Sequence, residues 1–127
     1  MVESSHVLVV DDDPRMVSML ERWLVRAGFR VTGVTTMDAA LAALQPTGPD
    51  WVITDLMMPT GDGMDILAQT HTRQPQTRVI VMTAFGSDAM RQRAMEHGAY
   101  AFLSKPFTRQ SLLSVLTQVP PAFTISS

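Results

Sequence analysis

The sequence predicts an α/β fold in which a doubly wound, five-stranded parallel sheet is flanked by five helices. Short β-branched runs alternate five times with stretches of helical periodicity, the pattern that repeated strand–helix units produce. The first run, Val7-Leu8-Val9-Val10, is apolar without interruption, as expected of a strand covered on both faces rather than one half open to water. A chain of 127 residues suits one domain with one sizeable core, and 46% hydrophobic with 17% charged residues is the composition of a globular chain, not a disordered one.

The elements follow in order. Strand one ends in Asp11-Asp12-Asp13, where Asp13 before Pro14 reads as a helix N-cap with proline at the first helical position. Met16, Met19, Leu20, Trp23 and Leu24 then recur at helical spacing, and Gly28 reads as the stop. Strand two runs from about Arg30 to Thr35 and its helix from near Asp38 to Gln45, before the breaker Pro46-Thr47-Gly48-Pro49. Strand three is Trp51 to Thr54 and ends at Asp55; a loop with Pro59, Gly61 and Gly63 leads to a helix near Met64 to Thr72. Strand four, Arg78 to Met82, ends at Thr83, and the loop Ala84 to Ser87 precedes a helix from about Asp88 to His97, closed by Gly98. Strand five, Tyr100 to Ser104, is followed by Lys105-Pro106 and a helix from about Thr108 to Val119. The expected domain is residues 1–119, with 120–127 a tail or the start of a linker.

Composition excludes several functions. The net charge of -2 contains no basic stripe, so direct nucleic-acid contact is not expected. No run of ~18 apolar residues could span a bilayer, and the first residues lack the charged start and apolar stretch of a signal peptide, so the expectation is a cytoplasmic protein with no membrane contact. Absence of cysteine excludes disulfides, thiol catalysis and thiolate metal sites. The ten methionines are expected to fill core gaps. His6, His71 and His97 fall at no shared site, and His97 suits a helix C-terminus through the dipole.

Asp11, Asp12, Asp55, Thr83 and Lys105 all fall at or just past the C-terminal ends of strands, where open parallel sheets bind their ligands. Three carboxylates brought together repel unless a cation joins them. Oxygen-only ligands suit a hard divalent ion, and a site that awaits a phosphoryl oxygen suits Mg²⁺ better than Ca²⁺, with Mn²⁺ the second candidate. Lys105 adds a compact positive charge and Thr83 a hydroxyl, which completes the parts needed for phosphoryl transfer to a carboxylate. Each residue alone has an ordinary explanation as cap, core hydroxyl or surface charge, but four strand ends carrying the four chemistries is a conjunction chance rarely gives.

Val9-Val10-Asp11-Asp12-Asp13, Thr54-Asp55-Leu56-Met57-Met58-Pro59 through Asp62-Gly63, Val81-Met82-Thr83-Ala84 and Lys105-Pro106-Phe107 resemble, in order and spacing, the response-regulator receiver domains of two-component systems. The resemblance covers nearly the whole chain and implies a flavodoxin-like fold. It implies Asp55 as phosphoacceptor, a metal held by Asp11, Asp12, Asp55 and the Met57 backbone carbonyl, and Thr83 with Lys105 on the phosphoryl group. It further implies a cis Lys105–Pro106 peptide, a switch made of Thr83 and Phe102, and a Met57 side chain at the mouth of the site that influences hydrolysis of the phosphate. Its partners would be a sensor histidine kinase and an output domain or partner protein at the face of helix four, strand five and helix five, with dimerisation on phosphorylation. The stretches Thr83 to Ser87 and Gly98 to Phe107 look similar to receivers of the nitrogen-regulation type, which control transcription.

Two rivals compete. Asp11-Asp12-Asp13 superficially resembles the start of haloacid-dehalogenase-like phosphatases, but those need acidic metal ligands beyond the lysine, and no Asp or Glu follows Lys105. A receiver-like binding module that works without phosphorylation is opposed by the key positions all being filled. The protein is therefore expected to be a phosphoacceptor and not an enzyme in the ordinary sense.

Overall fold

A computed structural model describes residues 5–45, 47–59, 61–84 and 86–117. The chain runs β1 (His6–Val10), α1 (Pro14–Arg26), β2 (Arg30–Val34), α2 (Met37–Ala43), β3 (Trp51–Asp55), α3 (Gly63–Arg73), β4 (Arg78–Thr83), α4 (Asp88–Glu96), β5 (Ala101–Ser104) and α5 (Arg109–Thr117). The strands form one parallel sheet in the order β2-β1-β3-β4-β5. Connections leave β1 toward one edge and β3 toward the other, so a crevice opens between the C-terminal ends of β1 and β3.

Alternation along the strands divides the core in two. Val7, Val9, Ile53, Ile80 and Met82 pack against Val17, Leu20 and Leu24 of α1 and Leu112 and Leu116 of α5. Leu8, Val10, Val52, Val79 and Val81 face the other way, onto Met37 and Ala40 of α2, Ile66 and Leu67 of α3 and Ala94 of α4. Both faces of β1, β3 and β4 are thus covered, which explains their unbroken apolar runs. Truncating a fully buried side chain such as Leu24 to Ala would cost ~2–5 kcal/mol.

Local chemistry sets the helix ends. Asp13 accepts the Arg15 N–H at 2.9 Å, Thr36 that of Ala39 at 3.2 Å, Asp62 that of Met64 at 2.8 Å and Ser87 that of Met90 at 3.1 Å. Gly28 and Gly98 follow α1 and α4 with φ of +99°, a conformation costly for other residues.

Some expectations shift. The Thr36 cap starts α2 at Met37, ahead of Asp38. What reads as a loop after Asp55 contains a small antiparallel ladder, Met57–Met58 against Gly61–Asp62. Thr108 accepts the Ser111 N–H at 3.0 Å and stands before α5 rather than in it. Residues 118 and 119 of the expected last helix, and the tail 120–127, lie outside the described residues. The methionines do not all fill the core: Met57 and Met95 are exposed. No helix among the described residues is long and apolar enough to cross a membrane.

Candidate functional site

The strand register brings the polar strand ends level. Val10 pairs with Thr54, Asp55 with Met82 and Thr83 with Ser104, so the residues at and just past these positions converge on the crevice. Asp11 follows β1 with its N–H donated to the Val34 carbonyl at 3.2 Å and is 1% exposed. Asp55 closes β3 at 7% exposure, whereas Asp12 is exposed.

Each buried carboxylate is held at both oxygens. Asp11 Oδ1 accepts the Asp13 N–H at 2.9 Å, and its Oδ2 accepts Lys105 Nζ at 2.7 Å. Asp55 Oδ1 accepts the Met57 N–H at 3.1 Å, and its Oδ2 accepts the same ammonium at 3.1 Å. Burial by itself would lower the Lys105 pKa, but hydrogen bonding and charge from Asp11, then Asp55, outweigh it and hold the group above its ordinary value. The lysine therefore stays charged.

Asp11, Asp12 and Asp55 can each offer one carboxylate oxygen, all within 4.8 Å of one another. Three hard oxygen donors at this spacing, two of them on buried residues, fit a small divalent cation. The Met57 N–H on Asp55 brings the Met57 backbone to the edge of this cluster.

Thr83, 1% exposed, ends β4, and its carbonyl accepts the Lys105 N–H at 2.8 Å. Phe102 pairs with Val81 in the sheet and packs on the α2–α4 side of the core. A Cβ added to Gly86 would stand 2.8 Å from Phe102 Cε1 and 3.1 Å from Thr83 Cγ2, so Thr83 and Phe102 flank one narrow stretch of backbone. The Lys105–Pro106 peptide bond is cis.

Asp13 stands apart: it caps α1 and pairs with Arg15 at 3.2 Å, whose side-chain and then backbone hydrogen bonds hold the carboxyl below its usual range. No histidine joins the site. His6 lies 2.8 Å from the Thr32 hydroxyl, and His97 Nδ1 donates to the Arg93 carbonyl at 2.7 Å at the end of α4. Sequence reading missed Gly63, whose N–H donates to the Leu56 carbonyl at 2.7 Å and where any Cβ would collide with the Asp55 carbonyl oxygen. The signal was a glycine just after the Asp62 cap, where a helix former is expected.

The family model described as the response regulator receiver domain matches residues 7–117. The chain is 38% identical over 112 residues to the C4-dicarboxylate transport transcriptional regulatory protein DctD of Pseudomonas aeruginosa, a match that spans 86% of this chain but only 24% of that protein. The beryllofluoride-activated NtrC4 receiver domain dimer superposes with a TM-score of 0.81 at 32% identity, covering 87% of this chain and 93% of that one. A response regulator protein from Burkholderia pseudomallei, solved with a phosphorylated aspartic acid, a calcium ion and citrate, superposes with a TM-score of 0.82 at 29% identity, covering 91% and 68%.

Proposed function

The chain belongs to the response regulator receiver domain family of two-component systems, and from that premise we propose that it accepts a phosphoryl group on Asp55 in a reaction that needs a divalent cation. One observation carries the proposal. Asp55 Oδ2 lies 3.1 Å from Lys105 Nζ, and Asp55 also belongs to a triad of carboxylates with oxygens within 4.8 Å of one another, so a nucleophile, a fixed cation and a place for a second cation coincide.

In this reading Asp11, Asp12, Asp55 and the Met57 carbonyl would hold Mg²⁺, with Mn²⁺ as substitute. Such an ion would offset the negative charge that the carboxylate and the incoming phosphoryl group bring together. An Asp55 carboxylate oxygen attacks phosphorus, the bond from phosphorus to the donor nitrogen of a sensor kinase's phosphohistidine breaks, and an acyl phosphate results. Lys105 balances charge on the transferred oxygens, and the Thr83 hydroxyl donates to one of them. The phosphorylated aspartic acid and calcium ion in the Burkholderia pseudomallei protein support the same chemistry here.

Output is read from Thr83 and Phe102. Once Thr83 turns toward a phosphoryl oxygen, the Phe102 ring is free to repack, altering the face of α4, β5 and α5 that meets an output domain, a partner protein or a second copy. The dimeric NtrC4 receiver favours the second copy, and the transcriptional role in the name of DctD favours a transcriptional output. Residues 1–119 form the receiver in this proposal, with 120–127 leading out of it. Incubation with acetyl phosphate tests the chemistry. An acid-stable, base-labile label should form with Mg²⁺ and fail with a chelator; equal labelling in both would contradict the metal requirement.

A further inference from the structure

Met57 and Met58 of the short ladder, Met64 of α3 and Met90 of α4 line a pocket of about 350 Å³. That volume lies at the lower end of the range for small-molecule sites. Met58 is buried, Met64 and Met90 are half-buried against the α2–α4 side of the core, and Met57 is exposed. Methionine is flexible and polarizable, so such a lining adapts to the apolar body of a ligand. Two exposed residues of opposite charge complete the pocket, Asp62 from the ladder and Arg93 from α4. Asp62 Oδ1 accepts the Met64 N–H at 2.8 Å, but the two residues are not paired with each other. Among the described residues, neither Asp62 Oδ2 nor the Arg93 guanidinium has a hydrogen-bonding or ionic partner.

We propose that this pocket binds a free α-amino acid with a large apolar side chain, such as leucine or phenylalanine. The Arg93 guanidinium offers a planar fork of donors to the ligand's carboxylate, Asp62 accepts from its ammonium, and the methionines cover its side chain. Charge complementarity selects this class of ligand. The pocket carries one group of each sign, so it suits a molecule that is neutral overall and bipolar. A simple organic anion would leave Asp62 without a partner, and a simple amine would leave Arg93 without one; either omission forfeits a charge-assisted hydrogen bond. The small volume suits one amino acid rather than a helix of a protein partner, which needs a long groove. A ligand seated here would tie the ladder after Asp55 to α4. Its charged contacts are not those of the carboxylate cluster, so the inference does not depend on Asp55 being the phosphoacceptor.

The test is a titration of the full chain, carbon-13 labelled at its methionine methyls, with leucine and phenylalanine, followed by NMR. The methyls of Met57, Met58, Met64 and Met90 should shift to saturation, whereas that of Met82, buried on the α1–α5 side of the core, should not move. Isocaproate, which is leucine without the ammonium, and isopentylamine, which is leucine without the carboxylate, should each bind roughly ten-fold more weakly or worse. Arg93→Leu and Asp62→Asn should weaken leucine binding by a similar factor. Asparagine still caps α3, so the second loss reports charge and not a damaged helix. A Met82 methyl at its wild-type position shows that each variant is folded. Isocaproate binding as tightly as leucine, or leucine binding unaltered in both variants, would overturn the inference. So would the absence of any saturable shift, the result expected of a groove that takes only a protein partner's side chain.

Discussion

Lys105 approaches Asp11 more closely than Asp55, with Nζ at 2.7 Å from Asp11 Oδ2 and 3.1 Å from Asp55 Oδ2. The shorter bond goes to the more deeply buried carboxylate, which is 1% exposed against 11% at the side chain. Lys105 is thus the counter-charge of the buried Asp11 carboxylate as well as a partner of Asp55.

Removing that charge should cost stability. Lys105→Met would leave Asp11 and Asp55 uncompensated, and breaking a largely buried ion pair costs roughly 2–4 kcal/mol. Thermal unfolding should show a lowered midpoint that Mg²⁺ partly restores, since the cation supplies the missing charge. A midpoint equal to wild type without metal would mean that the carboxylates do not need the lysine.

Asp12 is exposed, so Asp12→Ala should fold and lose most of its Mg²⁺ affinity. Relief of repulsion among the carboxylates would stabilise the metal-free protein by about 1 kcal/mol. Trp23 is the better fluorescence probe of the site, because its ring packs edge-on against Phe107, 6.4 Å away and two residues beyond Lys105. Trp51 starts β3, at the far end of the strand from Asp55. A Mg²⁺ titration identical in mutant and wild type would remove Asp12 from the site.

Gly63→Ala should be among the most damaging single-methyl changes, since the added Cβ meets the Asp55 carbonyl and, at 2.7 Å, Leu56 Cα. Backbone cannot yield as a side-chain tip can, so a loss of ~2 kcal/mol or more is expected, with slower phosphorylation because Asp55 itself is displaced. Urea unfolding measures the first and labelling kinetics the second.

This glycine shows where sequence reading stops. Asp11, Asp55, Thr83 and Lys105 were legible because apolar runs end visibly and parallel strands in sequence place those ends on one side. The approach of Gly63 to Asp55 depends on how the loop folds back, which no periodicity encodes. The same holds for the Met57–Met58 ladder with Gly61–Asp62, two residues per strand and too short to carry an alternation signal. Met57 and Met58 look equivalent in sequence, yet one is exposed and the other buried, because that ladder turns neighbouring side chains to opposite faces.

His6 predicts a pH effect remote from the site. Burial, then the charge of Arg30, holds its imidazole below the ordinary value, with Asp50 opposing. The unfolded chain therefore takes up a proton at higher pH than the folded one. The contribution of His6 to stability is fully present above about pH 6.5 and declines as pH falls below it. Urea unfolding from roughly pH 5 to pH 8 should show stability rising with pH, and His6→Gln should flatten that slope.

If Thr83 and Phe102 form the switch, beryllofluoride, which mimics the phosphoryl group, should alter hydrogen exchange over residues 83–112 in wild type and not in Thr83→Ala. The flanking of Gly86 by both side chains is the structural reason to expect them to move together. Protection confined to the loop after Asp55 would leave them as plain core.

The most direct test of the central claim is intact-mass analysis of wild type and Asp55→Asn after incubation with acetyl phosphate and Mg²⁺. The amide keeps the shape of the carboxylate but is not a nucleophile under these conditions. Wild type should gain the mass of one phosphoryl group and the mutant none; an equal gain in Asp55→Asn would show that the acceptor lies elsewhere.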